Sequence, residues 1–259
     1  MNKPSNSITF KKRDFKGSRL RCLMLTSLPA DTLVLALNEL VAPHAIVDPN
    51  HLQVPRGFLL PDEAKLGETP GLLSDLRREE ITSWWLEETR NANTPNWDLV
   101  SQCRIGDRDR LILVEAKSHE GEFHTNCDTC GAKEPNATKI GGAVQEANDG
   151  WNRVLPGFSL SSDSHYQLSN RFAFSWKLAT MGIPVVLIYL GFLDAEEMTD
   201  GSRVILRSAR HWEDCVKKES ASHIPPAAWE HSFCGGNFTP LIRSARVNIA
   251  AEVARLDQS

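Results

Sequence analysis

The stretch Leu111-Ile112-Leu113-Val114-Glu115-Ala116-Lys117 decides the fold predicted for this chain. Four aliphatic residues in a row are typical of a strand that is buried on both faces, as in parallel or mixed sheets covered by helices. Glu115 and Lys117 lie two positions apart, so their side chains point to the same side of the strand. Because charges at the end of a buried strand are costly, this stretch is a candidate functional element.

A second arm precedes this strand in the segment Pro95-Asn96-Trp97-Asp98-Leu99-Val100. The polar turn Gly106-Asp107-Arg108-Asp109 separates the two arms, which predicts a hairpin. In that pairing Asp98 reaches the same side of the sheet as Glu115 and Lys117. The sequence therefore predicts two carboxylates beside one ammonium group.

Such a cluster needs compensation, because buried carboxylates repel each other and lose their hydration. A divalent cation would supply it, and ligands that are all oxygen favour Mg²⁺ or Mn²⁺ over zinc. Two carboxylates leave coordination positions open for water and for a phosphate oxygen. The pattern predicts phosphodiester hydrolysis, with Lys117 orienting the attacking water or offsetting negative charge in the transition state.

The pattern of Asp98, sixteen intervening residues and Glu115-Ala116-Lys117 resembles the PD-(D/E)XK nuclease superfamily, across roughly residues 74 to 191. The resemblance implies a restriction-endonuclease-like fold in which Asp98, Glu115 and the carbonyl of Ala116 bind the metal. It also implies that Lys117 assists the attacking water. The sequence departs from the family pattern in one respect, because Trp97 stands directly before Asp98 and the nearest proline is Pro95.

Two weaker copies of the motif compete with this one, and the fainter, Asp14-Phe15-Lys16, has no aliphatic strand before it. Pro61-Asp62-Glu63-Ala64-Lys65 spells the motif almost literally, but Pro61 interrupts the apolar run before it. Asp62 with Glu, Ala and Lys instead predicts an N-cap and a first helical turn. For Glu115 and Lys117 the alternative is an ordinary ion pair at a strand end.

A family glutamate on the helix before the hairpin often serves as a further metal or water ligand. Ser74 predicts an N-cap for a helix that runs to about Arg90, and an apolar face with Leu76 would point Glu80 toward the core. Glu80 is the predicted equivalent. Glu79 and Glu88 are rivals, and a solvated Glu80 on a tilted helix is the alternative.

Two later helices are predicted over residues 139–154 and 165–181, the first weakened by three glycines. The second stops at Gly182 and feeds an apolar strand over residues 184–190 that is expected to be parallel. Gln145, Gln167 and Arg171 are candidates to face the site from these helices, with surface roles as the alternative. A further amphipathic helix is predicted over residues 241–256.

The cysteines suggest a second metal site. His124, Cys127 and Cys130 are spaced at intervals of three residues in a polar loop, and Cys234 with His231 lies about 100 residues downstream. Together these side chains would close a tetrahedral site for structural Zn²⁺. Free thiols are the alternative.

Composition sets the outer limits. The chain has 259 residues, 41% of them hydrophobic, and a formal net charge of −4, so a nucleic-acid partner would need a local basic surface. The start of the chain lacks the apolar core of a signal peptide, and no apolar run is long enough to span a membrane, which predicts a cytoplasmic protein without a membrane partner.

Residues 1–20 are basic and read either as a nucleic-acid arm or as a solvated terminus. We expect residues 1–72 to form an accessory region packed on a nuclease-like domain over residues 73–259.

The sequence thus predicts an α/β protein with a mixed central sheet and the activity of a metal-dependent nuclease acting on DNA. We leave open RNA as a substrate and a homodimer as the assembly. One competing hypothesis is a nuclease-like scaffold that binds nucleic acid or protein without catalysis. Another is a zinc-binding interaction protein in which the hairpin acids are incidental.

Overall fold

The computed structural model of the protein describes residues 16–124 and 130–247, and both ranges contain helices and strands. The helices are α1 (Gly17–Thr26), α2 (Ala30–Val41), α3 (Asp75–Trp85), α4 (Gly121–His124), α5 (Asn136–Val154), α6 (Tyr166–Thr180) and α7 (Ala209–Ser220). The strands are β1 (Gln53–Val54), β2 (Ala64–Lys65), β3 (Asn96–Trp97), β4 (Leu99–Ile105), β5 (Arg108–Lys117), β6 (Val185–Phe192) and β7 (Phe238–Ala245).

The central sheet has five strands in the order β1-β4-β5-β6-β7. The pairs β1/β4 and β4/β5 are antiparallel, whereas β5/β6 and β6/β7 are parallel. Strands β2 and β3 form a separate two-stranded sheet. This confirms the prediction of an α/β fold with a mixed central sheet flanked by helices.

Alternating residues of β5 and β6 pack into two different hydrophobic cores, one on each face of the sheet. Leu113 and Leu187 belong to the larger core, which contains the buried aromatic side chains of the helices from α3 onward. Val114 and Ile188 belong to the other core, which contains leucines of α1 and α2. Burial of both faces explains why β5 reads as a continuous aliphatic run.

The hairpin prediction is confirmed. Ile105 pairs with Arg108 across a two-residue turn, and the register continues to the pair of Leu99 and Val114. Gly106 occupies the turn with φ +54°, a conformation that glycine adopts without steric cost. The parallel strand after α6 is also confirmed, with Glu115 opposite Tyr189 in the register of β5 and β6.

Three predicted elements are wrong. Ala64 and Lys65 form a strand that pairs with Trp97 and Asn96, instead of a first helical turn. Helix α3 ends at Trp85 and not near Arg90. The apolar run that begins at Phe238 forms a strand parallel to β6 instead of a helix from residue 241, and residues 248–259 lie outside the described part of the chain.

The described part of the region 1–72 packs closely on the rest of the chain. Helices α1 and α2 cover one face of the sheet, and β1 forms its edge. Arg19 and Arg21, at the end of the basic stretch that starts the sequence, lie on α1 and form ion pairs with Glu63 and Glu197, respectively. The remaining basic residues before Gly17, apart from Lys16, fall outside the described residues.

None of the helices in residues 16–124 and 130–247 combines the length and the apolar character that a membrane span requires.

Candidate active site

Asp98 lies between β3 and β4, and its carboxylate reaches the end of the neighbouring strand. The backbone amide of Ala116 donates a hydrogen bond of 2.8 Å to Oδ2 of Asp98. Oδ1 of Asp98 has no hydrogen-bond partner among the described residues, and Asp98 lines a large cavity. The hairpin thus brings the Asp98 carboxylate beside the Glu115-Ala116-Lys117 segment, as the sequence predicted.

Glu115 is bound by two cationic side chains. Nζ of Lys117 donates to Oε1 at 2.6 Å, and Nε of Arg171 donates to Oε2 at 2.7 Å. Glu115 and Lys117 are 1% and 6% exposed, so this is a buried cluster and not a solvated ion pair at a strand end. Lys117 also donates to Oε1 of Gln167 at 2.8 Å.

Arg171 of α6 joins three parts of the site. Besides Glu115, its guanidinium donates to the backbone carbonyl of Asn96 at 2.6 Å and to Oδ1 of Asn170 at 2.9 Å. The guanidinium carbon lies 4.3 Å from the centroid of the Trp97 ring, which adds a cation–π contact. All three nitrogens of the guanidinium donate hydrogen bonds. Arg171 therefore fixes the position of α6 relative to the hairpin, and we class it as a positioning residue.

The two carboxylates differ in their electrostatics. Burial and the nearby charge of Glu115 raise the pKa of Asp98 to about 7, although Lys117 and the amide of Ala116 act in the opposite direction. Burial would also raise the pKa of Glu115, but Arg171 and Lys117 outweigh it and hold that pKa below its ordinary value. Asp98 is therefore the carboxylate that a further cation would stabilise most.

A cavity of about 980 Å³ opens at the site. Asp98, Gln167 and Arg171 contribute its polar wall, and Trp85 and Tyr166 contribute aromatic rings that stack with centroids 6.5 Å apart. The volume is at the upper end of the range for small-ligand pockets. Asp98 is therefore accessible to a ligand, although Glu115 beside it is buried.

The donor atoms fit Mg²⁺ or Mn²⁺ in part. Oδ1 of Asp98 is free, and Oε1 of Glu115 keeps one lone pair after it accepts from Lys117. Within residues 16–124 and 130–247, no group of three His, Cys, Asp or Glu side chains is placed to bind one metal ion. A cation placed between Asp98 and Glu115 would therefore find no third such ligand among these residues, and water would have to fill its other coordination positions.

The structure does not bring every predicted residue to this site. The half-buried carboxylate of Glu80 pairs with Arg77 on α3 at 2.8 Å and with Lys177 on α6 at 3.8 Å, and not with the acids of the site. Its predicted inward orientation is wrong because the helix is rotated about its axis: Leu76 is 72% exposed, whereas Ile81 is buried. Gln145 is exposed and bonds Asp149 within α5.

Only some of the predicted zinc ligands belong to the described part of the chain. Cys127 and the side chain of His124 lie outside the described residues. Cys130 lines the large cavity together with Asp98, near the end of β5 that carries Glu115 and Lys117. Cys234 lies in a short helical turn just before β7, whose first residue Phe238 pairs with Val185 at the end of the parallel strands opposite Lys117. Cys234 as the closing ligand is therefore wrong, since the parallel strands separate it from Cys130.

Glu63 is the residue that the sequence reasoning missed. It lines the same cavity as Asp98, accepts a hydrogen bond of 2.8 Å from Asn96, and pairs with Arg19 at 3.1 Å. Its charge also acts to raise the pKa of Asp98. The signal was the alternation of Ala64 and Leu66, both fully buried, which favours a strand next to the site over a helical turn.

Comparisons with protein-family models, with curated proteins and with solved structures gave no match to this chain.

Proposed function

We propose that this protein is a metal-dependent nuclease that hydrolyses phosphodiester bonds in DNA, on a restriction-endonuclease-like fold. The observation that carries the proposal is the convergence of Asp98, Glu115 and Lys117 beside a cavity of about 980 Å³. The resemblance of the motif to PD-(D/E)XK nucleases supports it. The raised pKa of Asp98 supports it too, because a cation bound there would relieve an unfavourable anion.

Asp98 and Glu115 would hold Mg²⁺ or Mn²⁺, which supplies Lewis-acid activation of water and neutralises phosphate charge. The role of the Ala116 carbonyl as a further ligand remains a prediction. Lys117 donates two of its three N–H groups to Glu115 and Gln167. The third N–H group is left for the attacking water or a phosphate oxygen. Its charge then acts where negative charge develops during displacement at phosphorus.

A second candidate is a nuclease-like scaffold that binds DNA, RNA or protein without catalysis. The observation that favours it is that Lys117 and Arg171 already neutralise Glu115 without any metal. In a scaffold the cluster would serve stability alone. Metal binding separates the two candidates, because only the nuclease needs Asp98 to bind a cation.

The test is incubation of purified protein with linear, circular and single-stranded DNA and with RNA, with Mg²⁺ or Mn²⁺ and with chelator. We expect metal-dependent cleavage of DNA, and Lys117→Ala should lower its rate on the order of 10²-fold or more. Lys65→Ala is the matched control, since Lys65 ends the second Glu-Ala-Lys copy but lies in β2. Equal rates for both variants, or no cleavage by the wild type, would refute the proposal.

A further inference from the structure

We infer that the large cavity beside Asp98 binds an unpaired stretch of DNA, so that cleavage falls within single-stranded segments and not within a duplex. The inference deepens the proposed function and rests on it for the position of the reacting phosphate. That phosphate must approach Asp98 and the N–H group of Lys117 that is not donated to Glu115 or Gln167. The size, the charge and the walls of the cavity decide which form of DNA can bring it there.

The reacting groups are reached through the cavity. Glu115 and Lys117 are 1% and 6% exposed, whereas Asp98 lines the cavity wall. The volume of about 980 Å³ is that of a sphere roughly 12 Å across, which is only the width of the major groove, so a whole duplex does not fit. A nucleotide of one strand does fit, because pockets of about 300–1,000 Å³ enclose organic molecules of that size.

The charge of the cavity wall also disfavours a duplex. Four carboxylates and three cations line it, which leaves a net charge of −1, and one of the cations, Arg171, is already bound to Glu115. Mg²⁺ at Asp98 would add two positive charges and leave a net charge of +1. A duplex carries one phosphate charge per about 1.7 Å of its axis, twice the density of one strand. The few cations of this wall therefore suit a segment that brings few phosphates.

An aromatic ring in the wall is available for stacking with a base. Tyr166 is half-buried at the cavity, and its ring stacks on Trp85 with centroids 6.5 Å apart and an interplanar angle of 23°. Because Trp85 is only 1% exposed, the ring that an entering base can reach is that of Tyr166. Proteins bind single strands through such stacking, whereas the bases of a duplex are already stacked on one another.

Side-chain amides in the same wall can bind the edge of a base. Asn91 and Asn93 are exposed at the cavity, and their side chains have no hydrogen-bond partner within residues 16–124 and 130–247. An amide side chain both donates and accepts, as the hydrogen-bonding edge of a base requires. That edge is free only when the base is unpaired. The amides therefore favour a single strand for the same reason as the aromatic ring.

The first test maps where the full chain cuts a labelled DNA, in Mg²⁺, when an unpaired central segment lies between two duplex arms. We expect cleavage in the unpaired segment to be at least about fivefold faster than in the arms, since one stacked base supplies a factor of that size. Equal rates in the arms and in the unpaired segment would overturn the inference and leave the proposed nuclease activity intact.

Binding without cleavage tests the inference separately from the proposed activity. Anisotropy titrations with Ca²⁺, which takes oxygen ligands as Mg²⁺ does, compare a labelled single strand with the same strand in a blunt duplex. The single strand should bind at least about fivefold more tightly. Equal affinities, tighter binding of the duplex, or no binding would overturn the inference. A protein that prefers the single strand but cleaves no DNA would support the binding site and refute only the proposed nuclease.

Tyr166→Leu should weaken binding of the single strand at least about fivefold, because the stacking ring is lost. Tyr166→Phe keeps the ring and should retain the wild-type affinity. Trp84→Leu is the matched control, since Trp84 is a half-buried aromatic residue that donates to Glu146 and does not line the cavity. Asn93→Ala is a second variant in case Tyr166→Leu does not fold, and the loss of one hydrogen bond should weaken binding roughly twofold to tenfold. Wild-type affinity for the single strand in both Tyr166→Leu and Asn93→Ala would refute the site.

Discussion

Asp98 and Glu115 differ in how far neighbouring groups compensate their charges. Glu115 accepts from Lys117 through one oxygen and from Arg171 through the other, and its charge is compensated inside the protein. Asp98 accepts only the amide of Ala116, and its second oxygen is free at the cavity. Asp98 is therefore the group whose protonation should respond to pH and to added metal.

We expect the stability of the metal-free protein to fall as pH rises through the titration of Asp98. Its folded-state pKa of about 7 exceeds the ordinary value of 3.8, so the folded protein binds more protons than the unfolded chain between these values. The full effect is at most about 4 kcal/mol, because each pKa unit corresponds to about 1.36 kcal/mol. Urea unfolding in chelator between about pH 4 and 8, which spans both pKa values, measures it, and Mg²⁺ should flatten the slope.

Asp98→Asn is the control, because it removes this titration and keeps the shape of the side chain. His44 and His119 act with the opposite sign, since burial lowers their pKa and the unfolded chain then binds the extra protons. Both histidines remain in the variant, so the difference between the two slopes belongs to Asp98. Identical slopes would mean that Asp98 is an ordinary ionised carboxylate.

At the scale of elements, helix α5 tests how packing overrides local propensity. It forms a continuous helix although it contains Gly141, Gly142 and Gly150. A Cβ on Gly150 would lie 2.0 Å from Nε1 of Trp176 on α6, whereas a Cβ on Gly142 would meet nothing within 4 Å. Gly150 is thus required by the contact between α5 and α6, whereas Gly142 is not.

We predict opposite effects of alanine at these two positions. Gly150→Ala should lower the free energy of unfolding by about 1–3 kcal/mol, because the indole of Trp176 must move in a packed interface. Gly142→Ala should raise it by roughly 0.5–1 kcal/mol, because alanine restricts the unfolded chain and favours helix. Thermal unfolding of both variants beside the wild type measures the effects. A loss of stability of equal size in both would contradict the packing argument.

The element scale also shows what local patterns could predict. The hairpin, α5, α6 and the strand after α6 follow from periodicity and turn residues alone. The end of α3 does not, because the side chain of Asn136, about 50 residues later, accepts from the amides of Glu87 and Glu88 and replaces their helical bonds. For β7, a short run buried on both faces has the same local pattern as a buried helix.

Some residues of the candidate site also follow from local patterns, and others do not. Asp98, Glu115 and Lys117 were predicted because strand alternation is a local rule. The clamp by Arg171 and the presence of Glu63 depend on contacts between segments that are 75 and 33 residues from Asn96. The prediction for Glu80 was wrong because packing against the rest of the core sets the rotation of α3. The sequence of the helix alone does not specify that packing.

At the scale of the whole molecule, the cores on the two faces of the sheet share their strands. Leu37 of α2 is fully buried in the core that also contains Val114 and Ile188. The opposite face of the same strands packs against α5 and α6. Residues 16–72 are therefore expected to unfold together with the rest of the chain, and not as a separate accessory unit.

Leu37→Ala tests this coupling, because all seven tryptophans of the protein lie after residue 72. The substitution should lower the free energy of unfolding by about 2–5 kcal/mol through lost burial and a residual cavity. If the chain unfolds as one unit, the midpoint followed by tryptophan fluorescence must shift by the same amount as the midpoint followed by circular dichroism. Leu35→Ala on the same helix is the control, since Leu35 is 66% exposed and its truncation should change little. An unchanged fluorescence midpoint in Leu37→Ala would instead show that the first 72 residues form an accessory region that unfolds on its own.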